Sequence, residues 1–181
     1  TWDLQFSDTS CAIRDLSFIN PDKVWALAYC CQPDPFPCRN FFLKTINGGQ
    51  HWFVLDSIDY SQFIKLDFIN NTIGYIAGAG NPNLMKTVDG GISWQASPHV
   101  SDAGLTDVSF TDIDNGYSCG NNFYFTHNSG ASWSSTYCYH SYQVDMYDDL
   151  NGWTISIDNV YKVTNGGHDV DYQFTSDKSP L

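Results

Sequence analysis

Thr87-Val88-Asp89-Gly90-Gly91-Ile92-Ser93-Trp94 is the stretch that decides the fold, because weaker copies of it recur along the chain. Thr45-Ile46-Asn47-Gly48-Gly49-Gln50-His51-Trp52 and Thr126-His127-Asn128-Ser129-Gly130-Ala131-Ser132-Trp133 are two of them. A worn fourth copy, Val163-Thr164-Asn165-Gly166-Gly167-His168-Asp169-Val170, has lost the tryptophan. The second glycine falls at 49, 91, 130 and 167, a pitch of 42, 39 and 37 residues. Repeats of that length mark propeller blades or solenoid turns. A helical solenoid needs a 3.6-residue apolar period, and the repeats have none.

The box has a plain physical logic. Glycine tolerates positive φ, so Gly-Gly allows a tight reversal between strands. The Asp or Asn before it accepts backbone hydrogen bonds that hold the reversal, and the tryptophan anchors the turn on the sheet. A second pattern precedes each box. Phe18, Phe68, Phe110 and Tyr147 stand six or seven residues before Trp25, Tyr75, Tyr117 and Trp153. Apolar and polar residues alternate there, as in half-buried strands, and turn residues such as Asn20-Pro21-Asp22 and Asp148-Asp149 lie between.

Each unit therefore reads as four short antiparallel strands, the plan of a blade. The expectation is an all-β, four-bladed β-propeller of roughly 37–50-residue repeats. It forms a single domain over 1–181, with blades near 11–56, 62–97, 104–139 and 142–175. Trp2-Asp3-Leu4-Gln5-Phe6 lines up with Val170-Asp171-Tyr172-Gln173-Phe174. Residues 1–6 are thus an extra outer strand, expected to pair with the last blade or with a neighbouring chain.

Composition narrows the function. The chain has 181 residues, 42% hydrophobic and 16% aromatic, so it is not disordered. Its net charge of −12 repels nucleic acid and anionic membranes, which excludes both as partners. No apolar run approaches the roughly 18–20 residues of a membrane span. Six cysteines, Cys11, Cys30, Cys31, Cys38, Cys119 and Cys138, fit a disulfide framework and an extracellular location. Adjacent Cys30 and Cys31 point to opposite sides if extended, so they take different partners. Cys38 closes a short loop onto one of them, and Cys119 with Cys138 would staple the third unit. The insertion from Cys30 through Asn40 carries Pro33, Pro35 and Pro37 and leaves the blade as a loop. Asn70-Asn71-Thr72 is an N-glycosylation sequon in a turn. A start at Thr1 fits either a fragment or a chain after signal removal.

Thr87–Trp94 matches Ser/Thr-x-Asp-x-Gly-x-Ser/Thr-Trp at every specified position, and Thr45–Trp52 and Thr126–Trp133 match with asparagine for aspartate. With the preceding Phe…Gly-aromatic segments, the units resemble the BNR/Asp-box repeat superfamily. They are most similar to photosystem II stability/assembly factor-like propellers. The resemblance implies a propeller in which Thr45, Asn47, Gly49, Trp52, Thr87, Asp89, Gly91, Trp94, Thr126, Asn128, Gly130 and Trp133 are structural. It leaves function broad, since sialidases, xyloglucan-cleaving enzymes and sortilin-type receptors share the repeat.

A sialidase site of that superfamily uses three arginines, and this chain has only Arg14 and Arg39. A carboxylate-pair glycosidase needs two acids across a cleft, for which Asp15, Asp107 and Asp145 are candidates. Their repeated position argues instead for turn or structural acids. Asp112, Asp114 and Asn115 offer hard oxygen ligands for calcium, yet turn chemistry explains them with less. His51, His99, His127, His140 and His168 are scattered and read as surface. The expectation is a secreted, non-catalytic interaction or structural propeller that needs no cofactor and no metal. Its partner is another protein or itself, with self-assembly by terminal strand exchange into a surface or filament subunit. The alternative is a carbohydrate-binding module or a glycoside hydrolase.

Overall fold

The computed structural model describes residues 11–31, 38–59, 62–98, 100–101 and 103–175. The extra strand expected at residues 1–6, Pro33, Pro35 and Pro37 of the proline loop, and His99 lie outside the described residues. The chain divides into two compact units, Thr1–Ser97 and Pro98–Leu181.

The first unit holds two four-stranded antiparallel sheets. Strands β1 (Cys11–Asn20), β2 (Lys23–Cys30), β3 (Arg39–Thr45) and β4 (Phe53–Asp59) pair in chain order. So do β5 (Gln62–Phe68), β6 (Gly74–Ala79), β7 (Leu84–Thr87) and β8 (Gln95–Ala96). The second unit repeats the plan with β9 (Asp107–Phe110), β10 (Gly116–Cys119), β11 (Phe123–Thr126) and β12 (Ser134–Thr136). Its other sheet is β13 (Gln143–Met146), β14 (Gly152–Ile155), β15 (Asn159–Thr164) and β16 (Asp169–Thr175), with a short 3-10 turn at Asn165–Gly167. The class is all-β, with one blade-like sheet for each sequence repeat.

Within each unit one sheet packs face to face on the next. In the first, Trp25, Leu27 and Phe42 of the β1–β4 sheet bury against Phe63, Leu66, Phe68 and Ile76 of the β5–β8 sheet. The Trp25 and Phe68 rings stack at 4.1 Å and 14°. In the second, Tyr117, Cys119, Phe123 and Phe125 bury against Val144, Met146 and Val163. Alternation along the strands sends these side chains to one face and their neighbours to the other.

Register corrects one sequence alignment. Met146 pairs with Gly152 as Phe68 pairs with Gly74 and Phe110 with Gly116, so Met146, not Tyr147, is the counterpart of the repeated phenylalanine. Tyr147 lies one residue further on and is exposed. The glycine in this pattern has a steric cause. A Cβ at Gly74 would stand 2.7 Å from the Phe68 ring, and one at Gly116 would stand 2.2 Å from that of Phe110. The ring lies over the glycine and leaves no room for a side chain. In the first sheet the pairing residue is Val24, which denies Phe18 that seat, and Phe18 is 72% exposed.

Two disulfides hold the first sheet. Cys11–Cys30 joins β1 to β2 at directly paired positions, and Cys31–Cys38 closes the proline loop at its base. Cys30 and Cys31 thus have different partners, as expected. The staple expected between Cys119 and Cys138 is not formed, and both are buried free thiols. The Cys119 sulfur is instead held by the Ser141 hydroxyl at 3.0 Å, beside Thr154 Oγ1 at 3.5 Å. Ser141 Oγ and Thr154 Oγ1 also bond each other. Burial pushes the Cys119 thiol up to about 12 and the Cys138 thiol up to about 11, so neither is a reactive thiolate.

Candidate functional site

The box side chains spend their hydrogen bonds inside their own turns. Thr87 Oγ1 donates to Asp89 Oδ1 at 2.8 Å and accepts from Gly91 N at 2.9 Å. Asp89 accepts from Ser93 N and Ser93 Oγ at 2.9 and 2.6 Å, and these bonds hold its carboxyl at about 2. Thr45 with Asn47 and Thr126 with Asn128 form the same lattice, with Gly49 N and Gly130 N donating to the threonine oxygens. Gly90 and Gly91 take φ of 78° and 92°, which glycine alone adopts without strain. The box tryptophans Trp52, Trp94 and Trp133 are half-buried, Trp94 against Phe42 and Phe68 and Trp133 against Phe110. Asn70 Oδ1 caps its turn, accepting from Thr72 N and Ile73 N.

Two of the three candidate glycosidase acids are tied to backbone. Asp15 Oδ2 accepts from Leu66 N of the adjoining sheet at 2.9 Å. Asp107 Oδ2 accepts from Val144 N at 3.0 Å, and its Oδ1 accepts from Val108 N. Each carboxylate takes up a donor on the first strand of the neighbouring sheet, which leaves that carboxylate oxygen unsuited to a proton-transfer role. Asp145 is exposed and pairs in register with Trp153. The calcium-type triplet closes a turn, as the Asp112 carboxylate accepts from Asp114 N, Asn115 N and Asn115 Nδ2 at 2.7–2.8 Å. Partial burial raises that carboxyl, and the bonds from Asn115 and Asp114 outweigh it and hold it below its ordinary value. Among the described residues no three His, Cys, Asp or Glu side chains gather at one point.

Two histidines that read as scattered in sequence meet. The rings of His127 and His168 lie 6.0 Å apart, 24° from parallel, on an open pocket of about 200 Å³ shared with Phe125, Asn128, Ser132 and Ser134. Asn115 Nδ2 is committed to the Asp112 carboxylate, so Asn115 Oδ1 faces His127 Nδ1 at 2.7 Å. The contact is therefore a hydrogen bond from His127 Nδ1 to the Asn115 oxygen. His51 and His140 are exposed and do not join this pocket.

The clearest surface feature is aromatic. In the segment between β12 and β13, Tyr137, Tyr139 and Tyr142 are exposed, with Tyr139 edge-on to His140 at 4.6 Å. Exposed Tyr172 lies edge-on to Tyr161, their centroids 6.0 Å apart. The segment is anchored between its tyrosines by buried Cys138 and Ser141.

Trp153 on β14 departs most from its repeats. Its counterpart Trp25 is 1% exposed, and its indole N–H donates to Gly90 O at 2.9 Å in the next sheet. Its other counterparts Tyr75 and Tyr117 are fully buried; Tyr117 donates from its hydroxyl to Asp149 O at 2.7 Å, and burial pushes that hydroxyl up to about 12. Trp153 is 48% exposed.

No protein-family model matches the sequence, and no curated protein matches it in sequence. Solved structures do match in fold. A YCF48 structure bound to D1 peptide superposes with a TM-score of 0.67 at 19% identity, over 91% of this chain and 53% of its own. The fold is that of a β-propeller. The GH74 enzyme of Niastella koreensis matches with a TM-score of 0.69 at 14% identity, over 88% of this chain and 30% of its own. YCF48 from Cyanidioschyzon merolae matches with a TM-score of 0.57 at 14% identity, over 87% and 70%. The chain thus spans about half of one of these relatives and under a third of another. At these identities the likeness is one of fold.

Proposed function

We propose that this chain is a non-catalytic, extracellular interaction or structural module of the Asp-box propeller type, which associates with another protein chain. The observation that carries the reading is the contrast between its acids and its aromatics. Asp15 and Asp107 are committed to backbone donors of the adjoining sheet, whereas Tyr137, Tyr139, Tyr142, Tyr172 and Trp153 are offered to solvent. Tyrosine and tryptophan supply large contact area at small entropic cost, which suits a binding face. Two disulfides fit an oxidising environment, and no helix is long and apolar enough to cross a membrane. A propeller of similar fold has been solved with a peptide bound.

The test sets hydrolysis against association. The purified protein is incubated with xyloglucan and a panel of other polysaccharides, and reducing ends are measured alongside its sedimentation profile. The reading expects no turnover with any glycan and association with protein. Turnover that disappears in Asp145→Asn would replace it with the glycoside hydrolase reading. Saturable glycan binding without turnover, lost in Tyr139→Ala, would replace it with a carbohydrate-binding module.

A further inference from the structure

We infer that the exposed face of the β13–β16 sheet is one half of a head-to-tail joint, whose other half is the exposed face of the β1–β4 sheet in a second copy of this chain. The inference rests on the interaction-module reading and names its partner and surfaces.

The chain already contains this joint within each unit. Its donor half is the second-strand aromatic that follows the register partner of the repeated Phe or Met, and its acceptor half is the apolar pair on the first strand of the next sheet. In the first unit Trp25 stacks on Phe68, and Phe68 and Leu66 are 4% and 5% exposed beneath it. Ser17, the register partner of Trp25, accepts from Phe68 N at 2.8 Å across the same joint. In the second unit Tyr117 covers Met146 and Val144, 9% and 4% exposed.

Trp153 with its register partner Asp145 is a further donor half, and it stands open. The flanking cation is repeated too. Lys44 pairs with Trp25 and sits 4.5 Å over its ring, and Lys162 pairs with Trp153 in the same register. Leu16 and Phe18 are an acceptor half that stands open, 55% and 72% exposed where Leu66 and Phe68 are buried. Leu16 pairs across the sheet with Ala26, and Leu43 with Val54; the two middle residues are buried at 5% and 3%, so the open apolar surface is Leu16 and Phe18 on one edge strand and Val54, 62% exposed, on the other. An acceptor row without a donor and a donor without an acceptor row are complementary by repetition. A contact between two different faces is heterologous, so it propagates or closes a ring of copies.

Analytical ultracentrifugation over a wide concentration range tests this, using wild type, Phe18→Asp and Trp153→Asp. Wild type is expected to associate, more tightly at high salt because each copy carries −12. Either substitution is expected to weaken association at least about 30-fold, the effect of removing an interface hot spot. An equimolar mixture of the two variants should form 1:1 dimers that grow no further, since one intact donor then meets one intact acceptor. Both residues are exposed, so thermal midpoints should match wild type; Phe18→Ser and Trp153→Gln repeat the test if the charged variants are misfolded. A wild type that remains monomeric overturns the joint while leaving the module reading to the glycan and partner assays. Association that survives both substitutions, or a mixture that forms no dimer, also overturns it.

Discussion

The same substitution at two equivalent positions should have unequal consequences. Trp25→Phe and Trp153→Phe change the same atoms in the same strand register, one inside a closed joint and one on an open face. At Trp25 the change removes the donor to Gly90 O, and leaving a buried carbonyl without its partner costs about 1–3 kcal/mol. The smaller ring also leaves a void on the order of 40 Å³ against Phe68 and Phe42, worth about 1 kcal/mol more at ~24 cal/mol per Å³. The total is about 2–4 kcal/mol. A chain of this size loses about 2–4 °C per kcal/mol, so the thermal midpoint should fall by about 4–16 °C. Trp153→Phe loses neither term and should stay within about 0.5 kcal/mol of wild type at dilutions where copies do not meet. Urea and thermal unfolding followed by far-UV circular dichroism read both. A Trp25→Phe cost below about 1 kcal/mol, or equal costs at the two sites, would refute the reasoning.

Two more outcomes follow from the turns and the thiols. Asp89 is held at about 2 against an ordinary 3.8, so its hydrogen bonds favour the folded state above about 3.8 and that contribution is lost as pH falls towards 2. Asp89→Asn should remove this acid sensitivity while leaving stability at neutral pH nearly intact, since Asn47 and Asn128 fill the same place in two other boxes; an unchanged acid profile would refute it. Thiol titration should find no fast-reacting group in the native protein and two after denaturation without reductant. Finding none after denaturation would mean that Cys119 and Cys138 are disulfide-bonded after all.

The all-β class and the four-sheet plan were legible because their causes are local. Glycine turns, alternation and Asx turns each act within a few residues, and they recur at a pitch of 42, 39 and 37 residues. The candidate surfaces were less legible because they depend on what lies across from a residue. Trp25 and Trp153 look alike in sequence, and only packing shows one buried and the other open. Val24 in place of glycine was visible, but its effect on Phe18 follows from a ring seated over Gly74 in the next repeat. His127 and His168 come from different positions of different boxes and meet only because consecutive sheets pack face to face. Asp15 and Asp107 read as possible acids because the backbone donors they accept from lie 51 and 37 residues away. Cys119 and Cys138 share one repeat unit, which suggests a staple, whereas the structure gives the Cys119 sulfur to a buried hydroxyl pair.

Hydroxyl-radical footprinting at increasing protein concentration tests the central claim most directly, because it reads the inner and outer joints in one sample. In dilute protein Phe18 and Trp153 should oxidise rapidly while Trp25 and Phe68 stay protected, and protection of Phe18 and Trp153 should rise together with concentration. Trp25 reacting as fast as Trp153, or Trp153 protected at every dilution, would contradict a fold whose repeated joint is closed within each unit and open on its first and last sheets.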